Sequence, residues 1–107
     1  MDISVVIPCL NESETLQICI DKIKYQLKQK KLNGEIIISD NGSTDGSIEI
    51  ANKNKVKIIN VKEKGYGNAV NSGVKIAKGK YILIADADNS YDFNDLPKFY
   101  DKINEGF

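Results

Sequence analysis

The chain has 107 residues, 41% of them hydrophobic and 28% charged, a balance typical of one globular domain with a buried core. Because 15 basic residues balance 15 acidic ones, the formal net charge of +0 provides no overall basic field to attract nucleic acid or an anionic membrane. No histidine is present, so acid–base chemistry would fall to carboxylates and any bound metal would be a hard cation.

The apolar runs and the cysteines indicate the cellular setting. The longest apolar runs are much shorter than a membrane span, and Met1 leads directly into a predicted strand rather than a signal peptide. Cys9 and Cys19 have neither metal-ligand nor redox spacing, so we interpret them as free thiols in a reducing compartment. We therefore expect a cytoplasmic chain without a membrane span, acting in the complete protein in the cytoplasm or at the cytoplasmic face of a membrane.

Hydrophobic periodicity predicts four strands that alternate with four helices. The strands are predicted over 3–7, closed by Pro8, over 35–39, over 55–61, which is weaker, and over 80–85. The first helix starts at residues 11–13 and ends near Asn33-Gly34, and a short second helix lies around Ile48 to Ala51. The third helix runs from Ala69 and stops at Gly79, and a last helix has Leu96 and Ile103 on its apolar face. This alternation predicts an α/β fold with a Rossmann-like parallel sheet, in the strand order 3-2-1-4 with helices on both faces.

Three of the predicted strands end in polar clusters, at residues 8–12, 40–47 and 86–92. The carboxyl ends of parallel neighbours lie side by side, so these clusters are expected to converge on the edge where open α/β sheets bind ligands. Two carboxylates as close as Asp86 and Asp88 repel each other unless a cation or a donor-rich ligand lies between them. Mg²⁺ and Mn²⁺ favour such oxygen ligands and commonly accompany phosphate-bearing substrates.

Each cluster also has a purely structural interpretation. Asn11 and Glu12 could cap the first helix, Ser43 to Asp45 could cap the second, and the Asp86 to Asp88 stretch could be a solvated turn. Lys64 could equally be a solvated lysine. The expected convergence of three clusters on one edge is what favours a ligand site over three separate capping motifs.

A glycine-rich turn, Lys-Gly-Tyr-Gly-Asn over residues 64–68, precedes the third helix. A dinucleotide fingerprint would follow the first strand and contain a third glycine, and a phosphate loop would end in Gly-Lys-Ser or Gly-Lys-Thr, so both of these sites are disfavoured. The turn would instead let the backbone approach a ligand, with the helix N-terminus supplying about half a positive charge toward a phosphate group.

Four sequence blocks together resemble the nucleotide-sugar-binding half of family 2 glycosyltransferases, which have the GT-A fold. The blocks are residues 5–12, 39–46, 65–73 and 86–88, and they stand in the order of the family. The sequence of residues 85–93 is most similar to that of polyprenyl-phosphate (dolichol-phosphate-like) sugar transferases. The resemblance covers practically the whole chain.

The resemblance implies roles for individual residues. The nucleotide would be bound by Pro8, Asn11, Glu12, Asp40, Lys64, Gly65, Gly67, Asn68 and Asp86, with Asp40 accepting a hydrogen bond from the base of a UDP- or GDP-linked sugar. A divalent cation, Mg²⁺ or Mn²⁺, would be held by Asp88, with Asp86 on the ribose or metal side. Two positions depart from the family pattern: Asn41 replaces an acidic residue, and Leu10 replaces an aromatic residue found in many members.

The resemblance also implies an inverting sugar transfer to a polyprenyl-phosphate or glycan acceptor in the complete protein. The catalytic base and the acceptor-binding loops of the family lie beyond the matching region, so residues 1–107 are expected to be one donor-binding half-domain that lacks the acceptor half. The alternative is an inactive nucleotide-binding or oligomerisation module. In the order 3-2-1-4 the apolar fourth strand would be an open edge, which predicts a homo-oligomer through that edge.

Overall fold

The computed structural model describes residues 1–87, which form a four-stranded parallel sheet with helices on both faces. The strands are β1 (Ile3–Cys9), β2 (Gly34–Asp40), β3 (Lys57–Asn60) and β4 (Tyr81–Ile84), and the helices are α1 (Ser13–Gln29), α2 (Ser47–Lys53) and α3 (Tyr66–Ile76). The strands lie in the order β3-β2-β1-β4, which confirms the predicted fold class and strand order. The helix predicted around Leu96 and Ile103 lies outside the described residues.

The core lies mainly between the sheet and α1. Ile20 and Ile23 of α1 are fully buried in one cluster with Val5 and Ile7 of β1, as their helical spacing predicts. On the opposite face α3 lies so close to the sheet that a side chain at Gly73 would clash with Val6 of β1 and with Ser39 of β2. The sheet is therefore covered on both faces, and the polar groups that follow its strands are left at its ends.

The end predicted for the first helix, near Asn33-Gly34, is wrong by about a turn. α1 ends at Gln29 because Lys31 adopts the left-handed conformation, with φ of 54°. The N–H groups of Lys31 and Leu32 then bond to the carbonyls of Lys28 and Leu27, which closes the helix in a Schellman arrangement. Gly34 instead begins β2.

Other boundaries also differ from prediction, three of them as follows. β1 continues through Pro8, whose missing N–H costs no bond to β4 because β4 ends opposite Val6. The third strand begins at Lys57, since Lys55 has a φ of 58° and belongs to the turn after α2. α3 begins at Tyr66, so the last three residues of the predicted glycine-rich turn over 64–68 are helical.

Glu35 anchors the amino end of the sheet. Its carboxylate accepts hydrogen bonds from the Ser4 hydroxyl at 2.5 Å and the Lys78 N–H at 2.7 Å, and it pairs with the Lys57 ammonium at 2.8 Å. Burial opposes ionisation, but these donors outweigh it and lower the pKa of Glu35 to about 2. The Ser4 hydroxyl also accepts the N–H of Gly79, so the amino end is a closed network that ties β1, β2 and β4 together.

Within residues 1–87, no helix combines the length and the apolar character that crossing a membrane requires. Cys9 and Cys19 are both buried and carry free thiols.

Candidate functional site

A cavity of about 420 Å³ opens at the carboxyl end of the sheet, beside the start of α3. It is lined by residues at or just after the carboxyl ends of β1, β2 and β4 and by residues around the start of α3, namely Pro8, Cys9, Leu10, Glu12, Asn41, Lys64, Gly65, Tyr66, Ala69, Asp86 and Ala87. The structure thus brings together parts of all three polar clusters. Of the residues predicted to bind nucleotide, Pro8, Glu12, Lys64, Gly65 and Asp86 line this cavity.

Four residues predicted to bind nucleotide, Asn11, Asp40, Gly67 and Asn68, lie outside the lining of this cavity. Asn68 lines a neighbouring open cavity of about 520 Å³ between the segment after β3 and α3. Gly67 lies in the first turn of α3, where a Cβ would meet no atom within 4 Å. The nucleotide roles of these four residues remain predictions.

The carboxylate of Asp40 is almost completely buried and is bonded within its own loop. One oxygen accepts the N–H groups of Gly42 and Ser43, at 3.0 and 2.8 Å, and the other accepts the Ser43 hydroxyl at 2.6 Å. Asp40 is only 1% exposed, so its bonds fix the turn that follows β2. In this conformation Asp40 shapes the loop, and recognition of a base by Asp40 stays a prediction.

Asn11 connects the loops after β1 and β2 rather than capping α1. Its N–H donates to the Ser43 hydroxyl at 2.9 Å, and its side-chain oxygen accepts the N–H of Thr44 at 2.8 Å. Glu12 stands at the N-cap position of α1 without a side-chain capping bond. The capping interpretation therefore fails for both residues, and the Glu12 side chain remains at the wall of the cavity.

Asp45 precedes Gly46, the N-cap residue of α2, and bonds donors at the start of α1 and α2. Its carboxylate accepts the N–H and the hydroxyl of Ser47, at 3.1 and 2.7 Å, and the N–H of Ser13 at 2.9 Å. These bonds lower the pKa of Asp45, with the Ser47 hydroxyl as the largest cause and the Ser13 N–H next. Asp45 thereby joins the first turns of α1 and α2.

Asp86 follows β4 and lines the cavity, as does Glu12. Its Oδ1 accepts a hydrogen bond from the Tyr66 hydroxyl at 3.1 Å. Burial, and then the hydrogen bond to Asp86 and its negative charge, raise the pKa of Tyr66. The Tyr66 side chain is 60% exposed, and both partners of this bond line the cavity.

Helix α1 holds the backbone immediately after Asp86. The Thr15 hydroxyl donates to the Ala87 carbonyl at 2.6 Å, and the Cys19 thiol lies 3.4 Å from the same oxygen. Two donors four residues apart on one helix face thus bond one carbonyl. This arrangement fixes the backbone directly after Asp86.

Cys9 contributes an uncharged group to the cavity wall. Burial raises the pKa of the Cys9 thiol, and the nearby charge of Asp40 adds to the rise, although the Ser47 hydroxyl opposes it. A thiol with a raised pKa is a poor nucleophile at neutral pH. Cys9 therefore acts as a small apolar residue here.

The chemistry of the cavity suits a hard cation bound together with a phosphate group. Mg²⁺ and Mn²⁺ are often held by only one or two carboxylates, with substrate phosphates and water completing the shell. Asp86 offers such a carboxylate at the wall of the cavity, and Lys64 lines the same cavity. Asp88 lies outside the described residues, and among residues 1–87 there is no group of three acidic or thiol side chains that could hold a metal ion.

Sequence reasoning missed Tyr66 and Asn41 as parts of the cavity. Tyr66 stood between two glycines and carried no separate signal, although an exposed aromatic residue next to a glycine is a reasonable candidate for contact with a ligand. Asn41 was noted only as a departure from an acidic pattern. Its contacts to the segment before α3 span 20 to 24 residues, which local pattern cannot reveal.

A family model described as glycosyl transferase family 2 matches residues 4–107. The match spans nearly the whole chain, so the chain belongs to this family.

Curated relatives agree with this membership. The chain is 38% identical over 104 residues to the low-salt glycan biosynthesis hexosyltransferase Agl6 of Haloferax volcanii, covering 97% of this chain and 25% of the relative. It is 34% identical over 116 residues to the human dolichyl-phosphate beta-glucosyltransferase, covering 96% and 36%. The chain thus spans between about a quarter and somewhat over a third of these relatives' lengths.

Solved structures show that the fold is that of GT-A glycosyltransferases. The crystal structure of S. aureus TarS matches with a TM-score of 0.83 and 26% identity, over 98% of this chain and 33% of that one. Glucosyl-3-phosphoglycerate synthase from Mycobacterium tuberculosis, in complex with Mn²⁺, UDP and glucosyl-3-phosphoglycerate, matches with a TM-score of 0.70 and 28% identity, over 80% and 33%.

Proposed function

We propose that the cavity binds the nucleoside diphosphate part of a UDP- or GDP-linked sugar, and that the chain is the donor-binding half of a glycosyltransferase. The observation that carries this proposal is the convergence of Glu12, Lys64 and Asp86 on one cavity. These residues are separated by 22 or more positions in sequence, and their charges have no shared structural task among residues 1–87. At the carboxyl end of a parallel sheet, the Lys64 ammonium suits a phosphate group and the two carboxylates suit hydroxyl groups of the same ligand.

The start of α3 supports the placement of the diphosphate. Lys64 and Gly65 precede this 11-residue helix and line the cavity, so the positive end of the helix and the ammonium act from the same side. Gly65 has a φ of 123°, a conformation that favours glycine and leaves the backbone open to a ligand.

We further propose that Asp86 and Asp88 hold Mg²⁺ or Mn²⁺ against the diphosphate. Mn²⁺ accompanies UDP in the crystal structure of the similar glucosyl-3-phosphoglycerate synthase. When bound, such a cation offsets the charge of the diphosphate leaving group. Two contacts of the described residues support this role of Asp86: the Tyr66 hydroxyl bonds its carboxylate, and the Thr15 hydroxyl holds the carbonyl of Ala87, the residue that follows it.

For the complete protein we propose an inverting transfer in the cytoplasm or at the cytoplasmic face of a membrane, to a polyprenyl-phosphate or glycan acceptor. The human relative is named for dolichyl phosphate, and a Bacillus spizizenii relative, 37% identical over 112 residues, is named poly(ribitol-phosphate) beta-glucosyltransferase. We expect these residues to supply donor binding and the remaining part of the protein to supply the acceptor site and the catalytic base.

Calorimetric titration tests the donor site. UDP, UDP-glucose and GDP-mannose are titrated into the chain with Mn²⁺, and the titrations are repeated with Asp88→Ala. We expect metal-dependent binding of one nucleotide class that falls at least about thirtyfold in the variant, as loss of a main electrostatic contact predicts. Absence of binding for all three nucleotides would reject the site, and release of sugar would separate turnover from simple binding.

We also propose that the chain self-associates through β4. Within residues 1–87 this strand pairs only with β1, and Ile82 is 39% exposed at its edge. Sedimentation at increasing concentration should show a dimer that Ile82→Lys abolishes. Ile76→Lys is a matched control because Ile76 is 38% exposed but lies on α3. A wild-type monomer at high concentration would refute this interface.

A further inference from the structure

Asn41, the first residue after β2, links the end of the sheet to the segment before α3. Its side-chain nitrogen donates to the carbonyls of Val61 and Glu63, at 3.1 and 3.0 Å, and its side-chain oxygen accepts the N–H of Gly65 at 3.1 Å. Asn41 is only 6% exposed, so water competes little for these bonds. One side chain therefore fixes both the beginning and the end of this segment.

Lys64 lies within the same segment, and its ammonium rests on the turn that follows β2. Nζ donates to the backbone carbonyl of Asn41 at 2.9 Å. A Cβ at Gly42 would lie 2.9 Å from Nζ, so the glycine leaves the space that the ammonium occupies. Within residues 1–87 no carboxylate pairs with Lys64, which leaves its positive charge uncompensated at the wall of the cavity.

We propose that Asn41 is a positioning and specificity-determining residue, which holds Lys64 at the cavity and keeps its charge available for the phosphate groups of a nucleotide. In this chain the neutral amide serves both tasks. It can donate to two carbonyls, which an ionised carboxylate cannot, and it does not neutralise the ammonium. This inference rests on the proposed function, because it takes the ligand to be a nucleoside diphosphate.

Asn41→Asp is the direct test, because it preserves size and changes only the donors and the charge. Wild type, Asn41→Asp, Lys64→Met and the double variant are titrated with UDP and with uridine, in both cases in the presence of Mn²⁺. We expect Asn41→Asp and Lys64→Met each to weaken UDP binding about tenfold, as loss of a charged phosphate contact predicts, while uridine binding changes less than about twofold. Thermal melts establish that each variant is folded.

A double-mutant cycle shows whether Asn41 acts through Lys64. In the Lys64→Met background, the effect of Asn41→Asp on UDP binding should fall below about twofold. Asn52→Asp makes the same change of net charge at an exposed position of α2 and should leave UDP binding unchanged. Equal UDP affinities of wild type and Asn41→Asp, or an unchanged loss in the Lys64→Met background, would overturn the inference.

Hydrogen exchange separates this inference from the proposed function. If the wild type binds neither UDP nor uridine, the proposed function fails, but the contact of Asn41 with the segment can still be measured. The Gly65 amide should exchange slowly in the wild type and at least about tenfold faster in Asn41→Leu, which has no acceptor for it. Equal exchange in the two proteins would overturn the positioning role.

Discussion

Each end of the sheet buries a carboxylate, but the surroundings of the two carboxylates differ. At the amino end Glu35 is bonded to Ser4, Lys57 and the Lys78 N–H, and these contacts close the surface. At the carboxyl end Asp40 is bonded just as fully within its loop, yet Lys64 and Asp86 stand beside a cavity. The amino end stabilises the fold, whereas the carboxyl end has an inner structural layer and an outer layer that can receive a ligand.

The comparison shows that burial and hydrogen bonding alone do not identify a binding residue. Asp40, Asp45 and Glu35 are the best-bonded carboxylates of the described residues, and each has a structural task. The carboxylates at the cavity are less completely bonded: Asp86 accepts only the Tyr66 hydroxyl among residues 1–87. Unused bonding capacity at a cavity is the better indicator of a ligand site.

Glu35→Ala should have the largest effect on stability. It leaves the Ser4 hydroxyl and the Lys78 N–H without their buried acceptor, and should lower the free energy of unfolding by about 3 kcal/mol. Urea denaturation measures this loss. Glu49→Ala, at an exposed position of α2, should change the free energy of unfolding by less than about 0.5 kcal/mol. Similar losses in the two variants would remove the structural role assigned to the amino end.

Acid should weaken the same network. The folded pKa of Glu35 is about 2 and lies below its ordinary value of 4.5, so its contribution to stability is complete above about pH 4.5 and is lost as the pH falls toward 2. The free energy of unfolding of the wild type should therefore exceed that of Glu35→Gln by more at pH 7 than at pH 3. The two differences should themselves differ by on the order of 2 kcal/mol. A difference that does not change with pH, measured by urea denaturation, would contradict this assignment.

Asp86→Asn should separate binding from stability at the other end of the sheet. Its carboxylate faces the cavity, so we expect about a thirtyfold loss of metal-dependent UDP affinity with a change in melting temperature of less than about 2 °C. Asp21→Asn, at an exposed position on α1, is the matched control and should leave the affinity unchanged. A large drop in the melting temperature of Asp86→Asn, with an unchanged affinity for UDP, would show that Asp86 stabilises the fold and does not bind the ligand.

Tyr66→Phe should have the smallest effect. It removes one hydroxyl donor from Asp86 and keeps the aromatic ring, so the affinity for UDP with Mn²⁺ should fall about threefold. Tyr25→Phe is a close control because Tyr25 is also 60% exposed but lies on α1. Equal affinities of wild type and Tyr66→Phe in a calorimetric titration would show that the bond does not orient Asp86 for binding.

The sequence predicted the layers of the fold well because hydrophobic spacing determines them. Leu16, Ile20, Ile23 and Leu27 are buried as their spacing indicates, and the strand order follows from the alternation of elements. The end of α1 was not predictable from Asn33-Gly34, because the residue that adopts the left-handed conformation is a lysine. Intrinsic propensity favours glycine in that conformation. Packing of the next residue, Leu32, against the core stabilises the turn although Lys31 is not a glycine.

The candidate site was predicted only in part, because strand ends are local features but hydrogen bonds between loops are not. The positions of Glu12, Lys64 and Asp86 follow from where the strands end and where α3 begins. The structural tasks of Asn11 and Asp45 depend on partners more than 30 residues away. No pattern within either segment distinguishes such a residue from one that contacts a ligand.

The most direct test of the contrast between the two ends is a map of backbone amide chemical shifts during titration with UDP and Mg²⁺. We expect the largest shifts at Leu10, Glu12, Asn41, Gly65 and Tyr66, around the cavity at the carboxyl end. Ser4, Glu35 and Gly79, at the amino end, should not shift. Saturable shifts at the amino end with none around the cavity would contradict the central claim.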